Sequence, residues 1–214
     1  MFQQFVDAMK SAFQFPLPGK QAQNRFKPYL KINPKLDVPP IFKPKYGAVM
    51  ALLYPRNEIP HILLIERPKY EGVHSGQIAF PGGQIESSDA SHLVAAIRET
   101  YEEIGVEEKH IEVLGNLSSL YVLASNFMVY PFVGILQELP PLTLERNEVA
   151  SVLEIPIYKF FEKNIIKEKE MKSALGIKLH APYFDLDGKI LWGATAMMVS
   201  ELCAIIEQHK IKIQ

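Results

Sequence analysis

Residues Phe80 to Val106 read FPGGQIESSDASHLVAAIRETYEEIGV and set a glycine turn directly ahead of an acidic helix. Glu99, Glu102 and Glu103 stand at i, i+3 and i+4, so a helix sends their side chains out one turn apart on the same face. Like charges crowded this closely are costly unless something positive sits among them. Oxygen ligands grouped in this way suit a hard divalent cation, Mg²⁺ or Mn²⁺, whereas zinc would want histidine or cysteine. Leu93, Ala96, Ile97, Thr100 and Ile104 recur at three- and four-residue steps on a different face, which is expected to pack. Ser88, Asp89 or Ser91 supplies N-cap chemistry, and Gly105 is placed for a left-handed C-cap. Arg98 lies beside Glu99 and one turn before Glu102, where a guanidinium can hold a carboxylate in a fixed orientation.

The bland reading of such a helix is a solvated acidic face with one intrahelical ion pair. That reading leaves Pro81, Gly82 and Gly83 unexplained. They form a turn that admits close backbone approach and positive φ, between an apolar strand ending at Phe80 and the helix. Strand, glycine turn and carboxylate helix together point to a metal site.

The stretch resembles the Nudix box, G-x5-E-x7-R-E-U-x-E-E-x-G-U with U apolar. Arg98, Glu99, Glu102, Glu103, Gly105 and Val106 meet its second half, with Thr100 at the first U position. Counting from Gly83, Asp89 takes the place of the first glutamate, and the interval to Arg98 is one residue longer than in the general box. The coenzyme A diphosphatase branch of the family has a similarly lengthened interval after GG-x-x-E/D-x-x-D, which Gly82, Gly83, Glu86 and Asp89 match. Upstream, LLIERPKYEGVHSGQIAFPGG resembles the additional motif of that branch, with Arg67, His74, Gly76 and Phe80 in register. Gly72 stands where the branch has an arginine.

The resemblance spans about residues 45 to 208 and implies a Nudix-type α/β/α sandwich with a mixed β-sheet. The expected architecture is α+β, with residues 1–44 as a helix and extended connection packed on a domain of residues 45–214. It further implies hydrolysis of a diphosphate, most simply coenzyme A or acyl-CoA to 3′,5′-ADP and 4′-phosphopantetheine. Mg²⁺ or Mn²⁺ would be held by Glu99, Glu102 and Glu103, with Glu99 alternatively the base that orients water. Glu148 is the further acidic residue that looks in place outside the helix. Arg67, His74, Gly82 and Gly83 are the expected substrate contacts, and Arg67, Lys69 or Lys45 would meet the additional 3′-phosphate. A dinucleotide, ADP-ribose or a nucleotide sugar is the alternative substrate. A non-catalytic nucleotide-binding module of the same fold is the alternative class, against which the retained carboxylates speak.

The 214 residues, 48% hydrophobic and 22% charged, suffice for one substantial core without a second domain. A net charge of −1 gives no general attraction to nucleic acid or membrane, so anions must be met by local basic residues and metal. The lone Cys203 excludes an intrachain disulfide and fits a reducing, cytoplasmic setting; its helical apolar surroundings mark it as core. Phe2, Phe5, Val6, Met9 and Phe13 have helical spacing, interrupted by Asp7 and Lys10, which suits a packing helix or a homodimer contact better than a signal peptide. Residues 15 to 44, rich in proline and lysine, read as an extended connection whose Arg25, Lys27, Lys43 and Lys45 could meet phosphates.

Strands are expected at Tyr46 to Tyr54 and His61 to Ile65 around a turn, at Gln77 to Phe80, at Ile111 to Tyr121 and at Phe127 to Leu136. Ser125 and Asn126 are placed near the pocket. Leu153 to Phe161 should begin as a strand and become helical. Asp187-Gly188 signals a hairpin between Tyr183 to Leu186 and Lys189 to Trp192, with Trp192 assigned to the core. Thr195 to Gln208 is the last helix.

Overall fold

The computed structural model describes residues 1–30, 43–69, 74–172 and 178–214. At its centre the nearly continuous apolar run VMALLY forms part of strand β1 (Lys45–Arg56), buried on both faces. Ala48, Met50, Leu52 and Tyr54 point to one side and Ala51 and Leu53 to the other. Such a run needs a covering layer on each side, and each fully buried Leu in it contributes about 1.5–3 kcal/mol.

β1 turns through Asn57 and Glu58, both at positive φ, into β2 (Ile59–Glu66), pairing Arg56 with Ile59. This is the tight hairpin geometry whose twist matches that of the strands. The next elements are β3 (Ile78–Ala79), β4 (Gly82–Gln84), helix α3 (His92–Ile104), β5 (Glu112–Asn116), β6 (Leu120–Val122) and β7 (Phe127–Ile135). β8 (Ser151–Pro156) runs into a 3-10 turn at Ile157–Phe161, as the strand-to-helix expectation required. Among the described residues these strands form one mixed sheet in the order β3-β2-β1-β7-β5, with β4 on β1, β6 on β7 and β8 on β2. The β1 and β7 pair is parallel and the others are antiparallel.

A three-stranded antiparallel sheet follows, β9 (Ile166–Lys172), β10 (Lys178–Leu186) and β11 (Lys189–Trp192), with the expected Asp187-Gly188 hairpin between the last two. β9 was not foreseen, because its IKEKEMK sequence alternates charge and shows no apolar period. The expected single strand from Ile111 to Tyr121 is broken in two. Trp192 ends β11 only partly buried, so the core assignment fails for it; Leu191 takes that place.

α3 covers one face of the sheet. Helices α1 (Phe2–Ala12) and α4 (Gly193–Gln208) cover the other, completing three layers of mixed α and β structure. The apolar stripe of α1 (Phe2, Phe5, Val6, Met9) is spent inside the chain, against α4 and β2, which removes the sequence argument for a dimer contact there. Cys203 is buried in α4, as expected.

The connection after α1 is not extended throughout. Lys20–Gln23 forms a short helix, α2, and Asn24–Phe26 a 3-10 turn, both packed on α4. A fully buried carboxylate explains this: Glu201 of α4 accepts from the Gly19 and Ser118 N–H groups and from Gln23 Nε2 at 2.8–3.2 Å. Residues 31–42 of the expected connection, and Gly72, lie outside the described residues. Among the described residues no helix is long and apolar enough to cross a membrane.

Candidate active site

α3 begins at Ser91, whose side chain accepts from the Val94 N–H at 3.2 Å, and ends at Gly105 with φ +76°. Of the three possible N-caps the chain uses Ser91. The predicted separation into one packing face and one working face is only partly met. Glu103 is fully buried with Ala95, Ala96, Thr100 and Ile104, while Leu93 and Ile97 are half-buried. Pro81 alone forms the bend. Gly82 and Gly83 are already paired to β1, opposite Val49 and Ala48, so the expected glycine turn is a short strand.

The two glycines are required for different reasons. A Cβ on Gly82, at φ +146°, would strike the backbone of Ala48 and Val49, and a Cβ on Gly83 would land within the Glu99 carboxylate. Close approach of α3 to β4 therefore depends on Gly83. It lays the Glu99 carboxylate directly on the strand. Gly82 in turn donates its N–H to Glu103 Oε2 at 2.9 Å.

Arg98 organises the outer half of the site with all five of its N–H donors. Nε and Nη2 clasp Asp89 at 3.0 and 2.9 Å, Nη1 reaches Glu99 and Glu102 at 3.0 and 2.9 Å, and Nη2 also donates to the Gln84 carbonyl at 3.1 Å. The forked clasp holds the Asp89 carboxyl below its usual range, and the same Asp89 bonds, with Glu99 and Glu102 adding to them against the cost of burial, raise the guanidinium further above its own. Sequence reading paired Arg98 with Glu102. It missed the bidentate clasp on Asp89, nine residues away across the loop.

Glu103 has the most strained electrostatics. Burial pushes its carboxyl up to about 8, despite the Gly82 N–H and Arg67, with the charges of Glu99 and Glu148 adding to the rise. Among the described residues its Oε1 accepts no hydrogen bond; Arg67 Nη1 lies 3.6 Å from it, and Arg67 Nε is itself buried without a partner among those residues. Glu99 is also raised, chiefly by burial, with Arg98 opposing and Glu102 and Glu148 reinforcing. Glu102 is half-exposed.

Glu148 is exposed on a loop tied to the end of α3 through Thr143 N–H to the Ile104 carbonyl and Glu145 N–H to the Glu103 carbonyl, both 3.0 Å. Its charge acts on Glu99 and Glu103 alike. His74, at φ +70°, shares a hydrogen bond of 2.9 Å with Gln77 Oε1, rather than turning to Gly82 or Gly83. Arg25 pairs with Glu207 on the α4 side of the sheet, so it belongs to a different surface. Lys189 holds Glu66 at 2.5 Å beside Ser151, which lowers the Glu66 carboxyl.

Among the described residues no three carboxylates already converge as a cation site. Arg98 stands between Glu99 and Glu102, and Glu103 is turned to Gly82. The donor set nevertheless fits a hard divalent cation: an orphaned buried carboxylate oxygen on Glu103, a second raised carboxylate on Glu99, and an excess of carboxylates that an added cation would offset.

The fold is thus a carboxylate helix laid on a glycine strand, on a mixed sheet between helical layers. The NUDIX domain family matches residues 44–172, well over half the chain. The Uncharacterized Nudix hydrolase NudL of Enterobacter sp. (strain 638) is 32% identical over 159 residues, covering 71% of this chain and 79% of the relative. NudL of Salmonella paratyphi B is 31% identical over the same length. The crystal structure of RenU, a Nudix hydrolase from M. smegmatis, superposes with a TM-score of 0.55 at 13% identity, covering 78% of this chain and 89% of that one, and so shares the fold. The chain belongs to the Nudix hydrolase family. It is a hydrolase of the diphosphate bond in nucleoside diphosphate derivatives, a family that works with divalent metal ions.

Proposed function

We propose that the chain hydrolyses coenzyme A or an acyl-CoA to 3′,5′-ADP and 4′-phosphopantetheine, in the cytoplasm, with Mg²⁺ or Mn²⁺ held by Glu99, Glu102 and Glu103. The observation that carries the catalytic part is the fully buried Glu103 carboxylate, whose Oε1 has no hydrogen-bond partner among the described residues, beside Glu99 on Gly83. The substrate part is supported by the sequence: Gly82, Gly83, Glu86 and Asp89 at the spacing of the coenzyme A diphosphatase branch, with Arg67 and His74 ahead of them.

When bound, the cation neutralises the diphosphate and acidifies the attacking water. The chain's own groups do the rest. Arg98 keeps Glu99 and Glu102 oriented through its clasp on Asp89. Glu148, exposed at the rim and close enough to act on Glu99 and Glu103, takes the proton as the water oxygen bonds to phosphorus and the bridging P–O bond breaks. Arg67, part-exposed beside Glu103, meets a phosphate oxygen.

Gly72, standing where the branch has an arginine, favours a second reading in which another nucleoside diphosphate derivative is cut by the same machinery. The test is mass-spectrometric product analysis with Mg²⁺ or Mn²⁺ and, separately, coenzyme A, NADH, ADP-ribose, nucleotide sugars and dNTPs. Selective release of 3′,5′-ADP and 4′-phosphopantetheine is the expected result. Cleavage of another compound with coenzyme A untouched would overturn the substrate assignment and keep the chemistry.

A further inference from the structure

Two buried side-chain atoms among the described residues lack a hydrogen-bond partner, Arg67 Nε and Glu103 Oε1, and they belong to side chains that face each other. Arg67 Nη1 lies 3.6 Å from Glu103 Oε1, against about 2.7–2.9 Å for a settled guanidinium–carboxylate bond. Arg98 shows the settled case in the same site, bonded to Asp89, Glu99, Glu102 and the Gln84 carbonyl. No comparable side-chain bond holds Arg67 among the described residues.

The two partners differ in their freedom to move. The Glu103 side chain is 1% exposed, its Oε2 takes the Gly82 N–H at 2.9 Å, and its carbonyl takes the Glu145 N–H at 3.0 Å, so the carboxylate stays where it is. The Arg67 side chain is 28% exposed. Its backbone is pinned, with its N–H on the Gln77 carbonyl at 3.0 Å and the Ala150 N–H on the preceding Glu66 carbonyl at 2.8 Å. Only the side chain is left to move. A guanidinium that neutralises a carboxylate without bonding it, and that reaches solvent, is a partner that a doubly charged ion can displace.

We propose that Arg67 is a built-in competitor of the metal that becomes a receptor for the substrate. Without the ion it neutralises Glu103; when the ion takes Glu103, Arg67 is released to a diphosphate oxygen, the acceptor that its Nε lacks. Metal and diphosphate then bind cooperatively through one side chain, and by linkage each strengthens the other by the same factor. The divalent ion feels the guanidinium twice as strongly as does the proton that competes for the same carboxylate, so removing Arg67 favours the ion on balance. The inference rests on reading Glu103 as a metal ligand, and it adds that a residue of the substrate site holds down the metal affinity of the substrate-free protein.

The test titrates Mn²⁺ into the full chain at one fixed pH, followed by loss of the paramagnetic resonance signal of the free ion. It is repeated with methylenediphosphonate, whose P–C–P bridge cannot be hydrolysed, after subtraction of the complex that ion and diphosphonate form in buffer. Arg67→Met, which keeps an unbranched stem and loses the charge, should bind Mn²⁺ alone roughly 5- to 150-fold more tightly than wild type, and Arg67→Lys should return toward wild type. Lys69→Met removes an exposed cation two residues on and should change Mn²⁺ binding much less. Methylenediphosphonate should tighten Mn²⁺ binding by a larger factor in wild type than in Arg67→Met. Arg67→Gln repeats the comparison if Arg67→Met does not fold. Mn²⁺ binding no tighter in Arg67→Met than in wild type, or tightened equally by Lys69→Met, would overturn the competition, and an equal diphosphonate factor would overturn the release. Failure of the metal assignment itself shows separately, as unchanged Mn²⁺ affinity in Glu103→Gln.

Discussion

Replacing Glu103 by Gln should make the metal-free protein more stable in alkaline solution while removing its activity. The amide keeps an oxygen for the Gly82 N–H, so the bond of 2.9 Å survives and only the buried charge is lost. The carboxyl goes from an ordinary value of 4.5 to about 8 on folding. An acid whose folded value is raised binds its proton more tightly in the native state, so its contribution to stability falls as pH rises from 4.5 toward 8 and is flat above that. The full shift corresponds to a cost on the order of 4 kcal/mol at pH 9. Allowing half for relaxation of the site leaves about 2 kcal/mol, or about 4–8 °C in melting temperature for a chain of this size. The downward-shifted carboxyls, Glu58, Glu66, Asp89, Glu107 and Asp185, act below this window and do not confuse it. The assay is thermal melting in EDTA at pH 6 and pH 9, for wild type and Glu103→Gln. Wild type should lose stability between the two, and the variant should lose much less, with a remainder from Glu99, which is also raised. Adding Mg²⁺ should stabilise wild type most at pH 9 and the variant hardly at all. An unchanged pH slope in the variant, or a variant less stable than wild type at pH 9, would refute the claim that Glu103 is an uncompensated buried charge.

Three further outcomes are expected. Gly83→Ala places a methyl group where the Glu99 carboxylate lies; a displacement of that size should cost about 100-fold in kcat, with the melting temperature nearly unchanged, measured by steady-state turnover beside a thermal scan. Arg98→Lys substitutes a point charge for a fork that makes five hydrogen bonds, so it should lower stability by about 1–3 kcal/mol and reduce kcat by releasing Glu99 and Glu102, read by denaturant titration and turnover. Glu201→Ala strands the Gly19 and Ser118 N–H groups and leaves Gln23 Nε2 only its bond to the Ser118 carbonyl, and should cost about 2–4 kcal/mol, with faster proteolysis between residues 13 and 30 as the arm comes loose from α4. Unchanged proteolysis would show that Phe26 and its neighbours hold the arm without Glu201.

Much of the local structure could be read from neighbouring residues. The extent of α3, its Ser91 and Gly105 caps, the Asp187-Gly188 hairpin and the apolar strands β1, β2 and β7 all rest on interactions within a few positions of the chain, where periodicity and turn chemistry operate. The site glutamates were legible for the same reason, since their spacing is a property of one helix. Their inequality was not legible. Glu99, Glu102 and Glu103 look alike in sequence, yet one lies on a glycine, one is half in solvent and one is sealed in the core. Which is which depends on how far α3 sinks toward β4, and Gly83 and Gly82 set that distance from 16 and 21 residues away.

The remaining features arise from contacts between segments remote in the chain. The parallel pairing of β1 with β7, which brings Lys45 to Phe127, the clasp of Arg98 on Asp89, the approach of Arg67 to Glu103 and the burial of Glu201 leave no periodic trace, because each joins groups whose separation along the chain carries no information about their separation in space. β9 escaped for the opposite reason: its charged sequence has no apolar face, and it becomes a strand by pairing with β10. By itself the sequence determined which residue types were available for chemistry and which helix carried them. The tertiary structure alone decided their dielectric surroundings and partners, and through these which carboxylate is raised and which is held.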